Sequence, residues 1–72
     1  MDKKLIANRL VNLRGKKSRE SVAESCGISV SALAMYENGN RIPRDDIKMR
    51  IAKYYDCSVE SIFFDAKSTK RA

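Results

Sequence analysis

The sequence contains no histidine, and only two cysteines and three glycines are present among its 72 residues. Without histidine, and with Cys26 and Cys57 far apart in the chain, no spacing typical of a metal site is present. The glycines form no phosphate-binding loop, and the adjacent Asp45 and Asp46 are explained as charges that suit a helix N-terminus. We therefore expect no enzymatic activity and no metal, cofactor or small-molecule ligand.

Long apolar runs are absent as well. Residues 1–10 lack the apolar run of a signal peptide, and no segment approaches the length needed to cross a membrane. Each cysteine lies beside apolar positions and is interpreted as a small buried hydrophobe, because disulfides persist mainly in exported proteins. A cytoplasmic protein without a membrane partner is the expectation.

Positive charge, by contrast, is in excess. Lys and Arg number 15 against 9 Asp and Glu, which gives a net charge of +6 and a pI near 9.6. This excess favours a polyanionic partner, either a nucleic acid or an acidic membrane surface. Composition alone also allows a soluble basic protein without such a partner. At this length the chain forms one small domain.

Apolar spacing and capping residues predict five helices and no strand. The first runs from Lys3 to Arg14, the second from Ser18 to Gly27, the third from Ser29 to Gly39, the fourth follows Pro43, and a short fifth begins at Ser58. The fourth should carry Lys48, Arg50 and Lys53 on its polar face. Residues 1–64 thus form an all-α domain, and residues 65–72 a basic tail that we expect to be flexible.

The second and third predicted helices are separated by very little chain. Because only Gly27 and Ile28 precede the N-cap Ser29, the chain must turn sharply there, which is typical of a helix-turn-helix. Inward positions of the third helix are Ile28, Leu33 and Tyr36. Tyr36 could instead stack on DNA, although its spacing from Leu33 favours the core. The outward positions carry no charge: Val30, Ser31, Ala34 and Met35.

Two clusters of basic residues bracket this uncharged face. One precedes and begins the second helix and comprises Arg14, Lys16, Lys17 and Arg19. The other follows the third helix and comprises Arg41 and Arg44. Cations placed on both sides can hold phosphates while a helix enters the major groove. The pattern predicts double-stranded DNA as the partner.

Arg19, Ala23, Gly27 and Leu33 have the spacing of a helix-turn-helix core. Two further motifs are residues 27–43 (GISVSALAMYENGNRIP) and residues 54–64 (YYDCSVESIFF). Together these motifs resemble the Cro/phage-repressor (Xre) family of bacterial and phage DNA-binding domains, over about residues 5 to 64. The resemblance implies a compact five-helix, lambda-repressor-like domain with its helix-turn-helix at helices 2 and 3. It also implies binding to operator DNA, usually as a dimer, to repress or switch transcription.

Site residues follow from the resemblance, position by position. The implied base-reading residues are Arg19, Val30, Ser31 and Met35. The implied backbone-contacting residues are Lys17, Ser18, Ser29, Asn38, Arg41 and Arg44. Arg19 stands where the family typically has glutamine, so it should hold a phosphate or reach a guanine. An ion pair between Arg14 and Glu37 is also implied, unless both side chains are solvated.

Two departures from the family pattern bear on recognition. The connector between the first two helices is about two residues shorter than usual and lacks a Gly-Leu before Ser18, which brings Lys16 and Lys17 closer to DNA. The third helix also lacks a hydrogen-bonding fork at four positions: Val30, Ala32, Ala34 and Met35. Readout should therefore depend on thymine-methyl contacts, on Ser31 and Arg19, and on DNA shape.

The self-association surface expected from sequence is small. It comprises Ile62, Phe63 and Phe64, with Tyr54 or Tyr55. The same side chains could instead complete the core of one chain, so a homodimer should be weak or DNA-assisted.

The leading functional hypothesis is a sequence-specific transcriptional regulator, a repressor of phage, plasmid or mobile-element type that acts on operator DNA. The alternative is a protein-interaction module, such as an antitoxin or antirepressor partner. In that case Val30, Ala34 and Met35 would dock a partner helix.

Overall fold

A computed structural model describes residues 2–64, which form five helices and, within that range, no strand. The helices are α1 Lys3–Arg14, α2 Arg19–Cys26, α3 Val30–Glu37, α4 Asp45–Tyr55 and α5 Val59–Phe63. The predicted all-α class and the order of five helices are confirmed. The basic tail expected at residues 65–72 lies outside the described residues.

Four of the five helices described begin at a side-chain cap that the sequence supplies, and α4 has none. The hydroxyls of Ser18, Ser29 and Ser58 each accept a hydrogen bond from the backbone amide three residues on, at 3.0–3.1 Å. Gly27 ends α2 with φ +72°, a left-handed conformation that glycine adopts without steric cost. Because the cap of α3 follows two residues later, α2 and α3 are joined by the sharp turn that the sequence predicts.

A single hydrophobic core lies between the helices, and every helix contributes to it. Its most deeply buried large side chains are Ile6, Leu10, Val22, Leu33, Ile51, Ile62 and Phe63. Tyr36 is also buried, which confirms core packing over stacking on DNA. α3 packs mainly against α1 and α2, so these two helices set its orientation.

The apolar residues expected to serve either a dimer or the core serve mainly the core. Ile62 and Phe63 are fully buried. Tyr54 and Tyr55 are half-buried and contact each other edge to face, with ring centroids 5.0 Å apart. Phe64 remains exposed.

The prediction that Lys48 lies on the polar face of α4 is wrong. Its side chain is buried, with Nζ 3.5 Å from Asp45 Oδ1 and 5.4 Å from the centroid of the Phe64 ring. The long aliphatic stem of lysine can be covered while its ammonium stays near a carboxylate and an aromatic face. Sequence periodicity could not reveal this, because Phe64 reaches Lys48 from beyond the end of α5.

Candidate nucleic-acid interface

The outer face of α3 is uncharged and exposed. Val30 and Met35 are each 39% exposed, Ser31 is exposed and Ala34 is half-buried. This face offers one hydroxyl and two apolar side chains over about a turn and a half of helix. It can make apolar contacts and single hydrogen bonds, but no bidentate contact.

The N-termini of α2 and α3 are both exposed and both capped by serine. Ser18 and Ser29 use a lone pair of the hydroxyl oxygen to accept the capping hydrogen bond, so each hydroxyl proton can still be donated to a ligand. The first turn of a helix also presents backbone amides without intrahelical partners and the positive end of the helix dipole. Each N-terminus is therefore chemically suited to an anionic oxygen.

The segment after α3 carries polar and basic side chains that are open to solvent. Asn38, at the C-cap of α3, and Arg41 are exposed. Arg44, at the N-cap of α4, has a side chain 79% exposed, with Nε 3.6 Å from Asp46 Oδ1. An exposed pair at this distance contributes little to stability, so the Arg44 guanidinium can exchange Asp46 for another anion.

The short connector before α2 is held by Arg14. Arg14 Nη1 donates to the carbonyl oxygen of Lys17 at 2.8 Å. The Lys17 side chain is exposed, and its Nζ lies 5.6 Å from the centroid of the Tyr54 ring of α4. Lys17 thus extends toward α4, whereas the sequence places it at the DNA backbone. That backbone role stays a prediction.

A buried carboxylate joins three helices. Glu37, the last residue of α3, has a side chain that is 0% exposed. Arg14 Nε, at the end of α1, donates to both carboxylate oxygens at 2.9 and 3.1 Å. Arg19 Nε, at the start of α2, donates to Glu37 Oε1 at 2.9 Å. The predicted Arg14–Glu37 ion pair is confirmed, and Arg19 is an additional partner that the sequence did not suggest.

Two further arginines tie distant parts of the fold together and were missed by sequence reasoning, and one of them, Arg50, contacts the turn of the helix-turn-helix. Arg50 Nη1, on α4, donates to the carbonyl oxygen of Gly27 in the turn between α2 and α3 at 3.3 Å. Arg9 Nη1, on α1, donates to the carbonyl oxygens of Ile62 and Phe64 at 3.1 and 2.7 Å. Each side chain bridges parts of the chain distant in sequence, so no local motif identifies its partner.

Burial raises the pKa of two groups near the core, Cys26 and Tyr55. Cys26 and Cys57 are free thiols, and burial raises the pKa of the Cys26 thiol. Burial, followed by the negative charge of Glu37, raises the pKa of Tyr55 to about 12. The Tyr55 hydroxyl is buried and has no hydrogen-bond partner among residues 2–64.

Neither a metal site nor a membrane span is found in the part of the chain that the structure describes. No group of histidine, cysteine, aspartate or glutamate side chains there could hold a metal ion. Each of the helices described is too short or too polar to cross a bilayer.

A family model described as helix-turn-helix, of the Cro/C1 type, matches residues 9–62, which is more than half of the chain. The matched region includes the turn between α2 and α3 and nearly all of the core. No curated protein and no solved structure matches the chain.

Proposed function

We propose, from the premise that this chain belongs to the Cro/C1-type helix-turn-helix family, that it regulates transcription by placing α3 in the major groove of operator DNA. The family consists of DNA-binding regulators, and its lambda-repressor-like fold agrees with the five helices described. The observation that carries the proposal is the uncharged, exposed face of α3, which lies between serine-capped helix N-termini and a loop of exposed arginines.

The contacts to base edges come from Val30, Ser31 and Met35 in this proposal. Their exposure and their position on one face of α3 support it. Apolar side chains contact the methyl group of thymine, and a serine hydroxyl makes a single hydrogen bond to a base. Because a good bidentate contact gives about 1–3 kcal/mol of discrimination and these three side chains can make none, DNA shape carries much of the specificity.

The contacts to the phosphate backbone come from the surrounding polar groups. Ser18 and Ser29 donate from their hydroxyls beside the helix N-termini, and Asn38, Arg41 and Arg44 contact phosphates on the other side of α3. The high exposure of Arg44 and its weak pairing with Asp46 support this assignment. Such contacts fix the register of the domain on the duplex rather than its sequence preference.

The regulator acts as a repressor of phage, plasmid or mobile-element type. A repressor can block a promoter simply by occupying its operator. In this proposal, the α3 surface and the flanking cations make the operator contacts. Two copies bind as a homodimer with half-sites about 34–36 Å apart along the DNA, one helical turn or a multiple of it. Since Phe64 is the remaining exposed aromatic of the expected self-association surface, the dimer is weak or formed on DNA.

The test is selection of bound sequences from random double-stranded DNA, followed by affinity measurements across a salt series. We expect the logarithm of affinity to fall with a slope of about −0.9 per phosphate contact. Arg44→Ala should weaken binding to all sequences and make the slope shallower. The matched control is Lys53→Ala, the same charge change on the exposed side of α4. Equal effects of the two variants, or no salt-dependent binding by the unaltered chain, would contradict the proposal.

Oligomeric state is tested separately. Gel filtration and a DNA titration should show dimers on a two-half-site operator. A monomer at high protein concentration, together with one chain per operator, would contradict the homodimer.

A second candidate function is a protein-interaction module, such as an antitoxin or antirepressor partner. It is favoured by the two exposed apolar side chains on α3, Val30 and Met35, which could dock a partner helix. Exposed apolar residues are common on protein surfaces, so this observation carries less weight than the surrounding cations. Failure of both Arg19→Ala and Arg44→Ala to alter binding to any DNA would favour this alternative.

A further inference from the structure

The Arg19 guanidinium is held along one edge and open along another. Its Nε donates to Glu37 Oε1 at 2.9 Å, whereas its terminal nitrogens make no hydrogen bond to residues 2–64. The side chain is 38% exposed, although the carboxylate that holds it is fully buried. The exposed end of the guanidinium therefore has a direction fixed from inside the domain.

We propose that Glu37 is a positioning residue for DNA binding, which holds Arg19 by its Nε edge so that the two terminal nitrogens grip a backbone phosphate at the start of α2. The inference rests on the proposed function, because it assumes that DNA is the ligand. It reassigns Arg19 from base reading to the backbone. Arg19 is the first residue of α2, and its bond to Glu37 limits how far its side chain can extend toward a base edge. A phosphate bound at the N-terminus of α2 would lie beside it.

Arginine is the side chain that this arrangement requires. Its planar guanidinium presents donors along separate edges, so it can bind a carboxylate and a phosphate at the same time. Lysine carries the same charge as a point donor on a flexible stem and cannot hold both anions in a fixed geometry. The carboxylate is also satisfied without Arg19, since Arg14 Nε donates to both of its oxygens. Glu37 can therefore keep its structural partner while it orients Arg19.

If Glu37 positions Arg19, loss of the Glu37 charge should change DNA affinity in the direction opposite to that expected from Coulomb attraction alone. Removal of any negative charge from a DNA-binding protein should strengthen its attraction to phosphates. Removal of the group that orients Arg19 should instead weaken binding, because a charge-assisted contact to phosphate is lost. The sign of the effect therefore distinguishes the two.

The first experiment compares Glu37→Gln with Glu24→Gln, in the full chain and on the selected operator. Glu24 is exposed on α2 and forms no ion pair with any residue that the structure describes, so it supplies the same charge change without the positioning role. Glu24→Gln should strengthen binding slightly, and Glu37→Gln should weaken it about tenfold, the loss expected for one hydrogen bond to a charged group. Strengthening by both variants would overturn the inference.

A second set of variants separates positioning from folding, and it decides the matter if Glu37→Gln fails to fold. Arg19→Lys should lose affinity about tenfold, close to the loss in Arg19→Ala, and both should make the salt slope shallower by about 0.9. The control Lys53→Arg, a charge-conserving exchange at an exposed residue of α4 that is not among the proposed DNA contacts, should bind within about twofold of the unaltered chain. Full affinity in Arg19→Lys would overturn the inference.

A double-mutant cycle completes the test where the variants fold. In the Arg19→Ala background, Glu37→Gln should no longer weaken binding, since there is no Arg19 to position. Undiminished weakening would mean that Glu37 acts through the fold. If the unaltered chain binds no DNA, the proposed function fails and the inference with it. If it binds and Arg19→Lys matches it, the inference alone fails.

Discussion

The exposed outer face of α3 and its buried C-terminal end differ in an unusual way. Its outer face, which is exposed, offers mainly the apolar side chains of Val30 and Met35. Its C-terminal end, which is buried, carries the charged side chain of Glu37 between two arginines. Soluble domains commonly place apolar groups inside and charges outside. The difference indicates that ion pairs help to hold the C-terminal end of α3 in the domain, whereas its outer face offers shape and apolar surface.

The two regions should therefore respond differently to substitution. The buried carboxylate is costly to remove, because Arg14 and Arg19 lose their counter-ion and Arg14 is largely shielded from water. Substitution of an exposed side chain on the outer face should leave the fold nearly unchanged. The predictions below test this contrast, beginning with the largest expected effect.

Glu37→Ala should destabilise the fold by about 3 kcal/mol, the lower end of the cost of removing one partner of a buried ion pair, because Arg14 and Arg19 keep partial access to water. Glu60→Ala is the control, since Glu60 is exposed in the first turn of α5 and forms no ion pair with a described residue. Thermal unfolding of the two variants measures the difference. Equal melting temperatures would mean that the buried end of α3 contributes nothing special to stability.

Leu33→Ala should destabilise the fold by about 2–5 kcal/mol, because it leaves a cavity in the core beneath α3. Leu33 is 1% exposed. Ser31→Ala, on the outer face of the same helix, should change the free energy of unfolding by no more than about 0.5 kcal/mol. Chemical denaturation of both variants measures the contrast. A large loss in Ser31→Ala would show that the outer face packs against part of the protein.

Tyr55→Phe should leave stability unchanged or raise it by about 1 kcal/mol at neutral pH, because it removes a buried hydroxyl without a partner among residues 2–64. Burial raises the pKa of Tyr55 from 10.0 to about 12. Between those values the unfolded chain loses the tyrosine proton and the folded chain keeps it, so stability should fall as pH rises.

The control is the dependence of stability on alkaline pH in the unaltered protein and in Tyr55→Phe. Denaturant unfolding of both proteins between pH 10 and 12 should show a shallower decline in Tyr55→Phe, because other titrating groups are common to both. Parallel declines would mean that the Tyr55 hydroxyl is solvated. Marked destabilisation at neutral pH would mean that the hydroxyl has a partner.

The sequence predicted those features of the fold that depend on neighbouring residues. Serine caps, the end of α2 at Gly27 and the uncharged face of α3 follow from local chemistry and helical spacing, and the structure has all three. The Arg14–Glu37 pair was found through family resemblance rather than through residue spacing. The contacts of long, flexible side chains were not predicted. Their partners lie far away in sequence, as for Arg50 at Gly27, or beyond a helix end, as for Lys48 beneath Phe64.

The candidate site was predicted less completely than the fold. The resemblance assigned a role to each position separately, and it could not show that Arg19 and Glu37 are joined. Which edge of a guanidinium is occupied depends on the angle at which helices meet, and spacing does not determine that angle. The buried end of α3 depends on a contact between Arg19 and Glu37, which are 18 positions apart, and no local pattern in the sequence indicates that contact.

Thymine methyl groups give the smallest and most direct test of the outer face. Replacement of a contacted thymine by uracil removes one methyl group and should weaken binding by no more than about 0.8 kcal/mol, the transfer energy of a buried methylene. The measurement is competition between the selected operator and single-uracil versions of it. Uracil at a flanking position is the control. Val30→Ala or Met35→Ala should abolish sensitivity at one position each, because the apolar partner of that methyl group is gone. If no uracil substitution weakens binding, α3 reads no thymine methyl groups, and its outer face contributes fit to the groove without discrimination between bases.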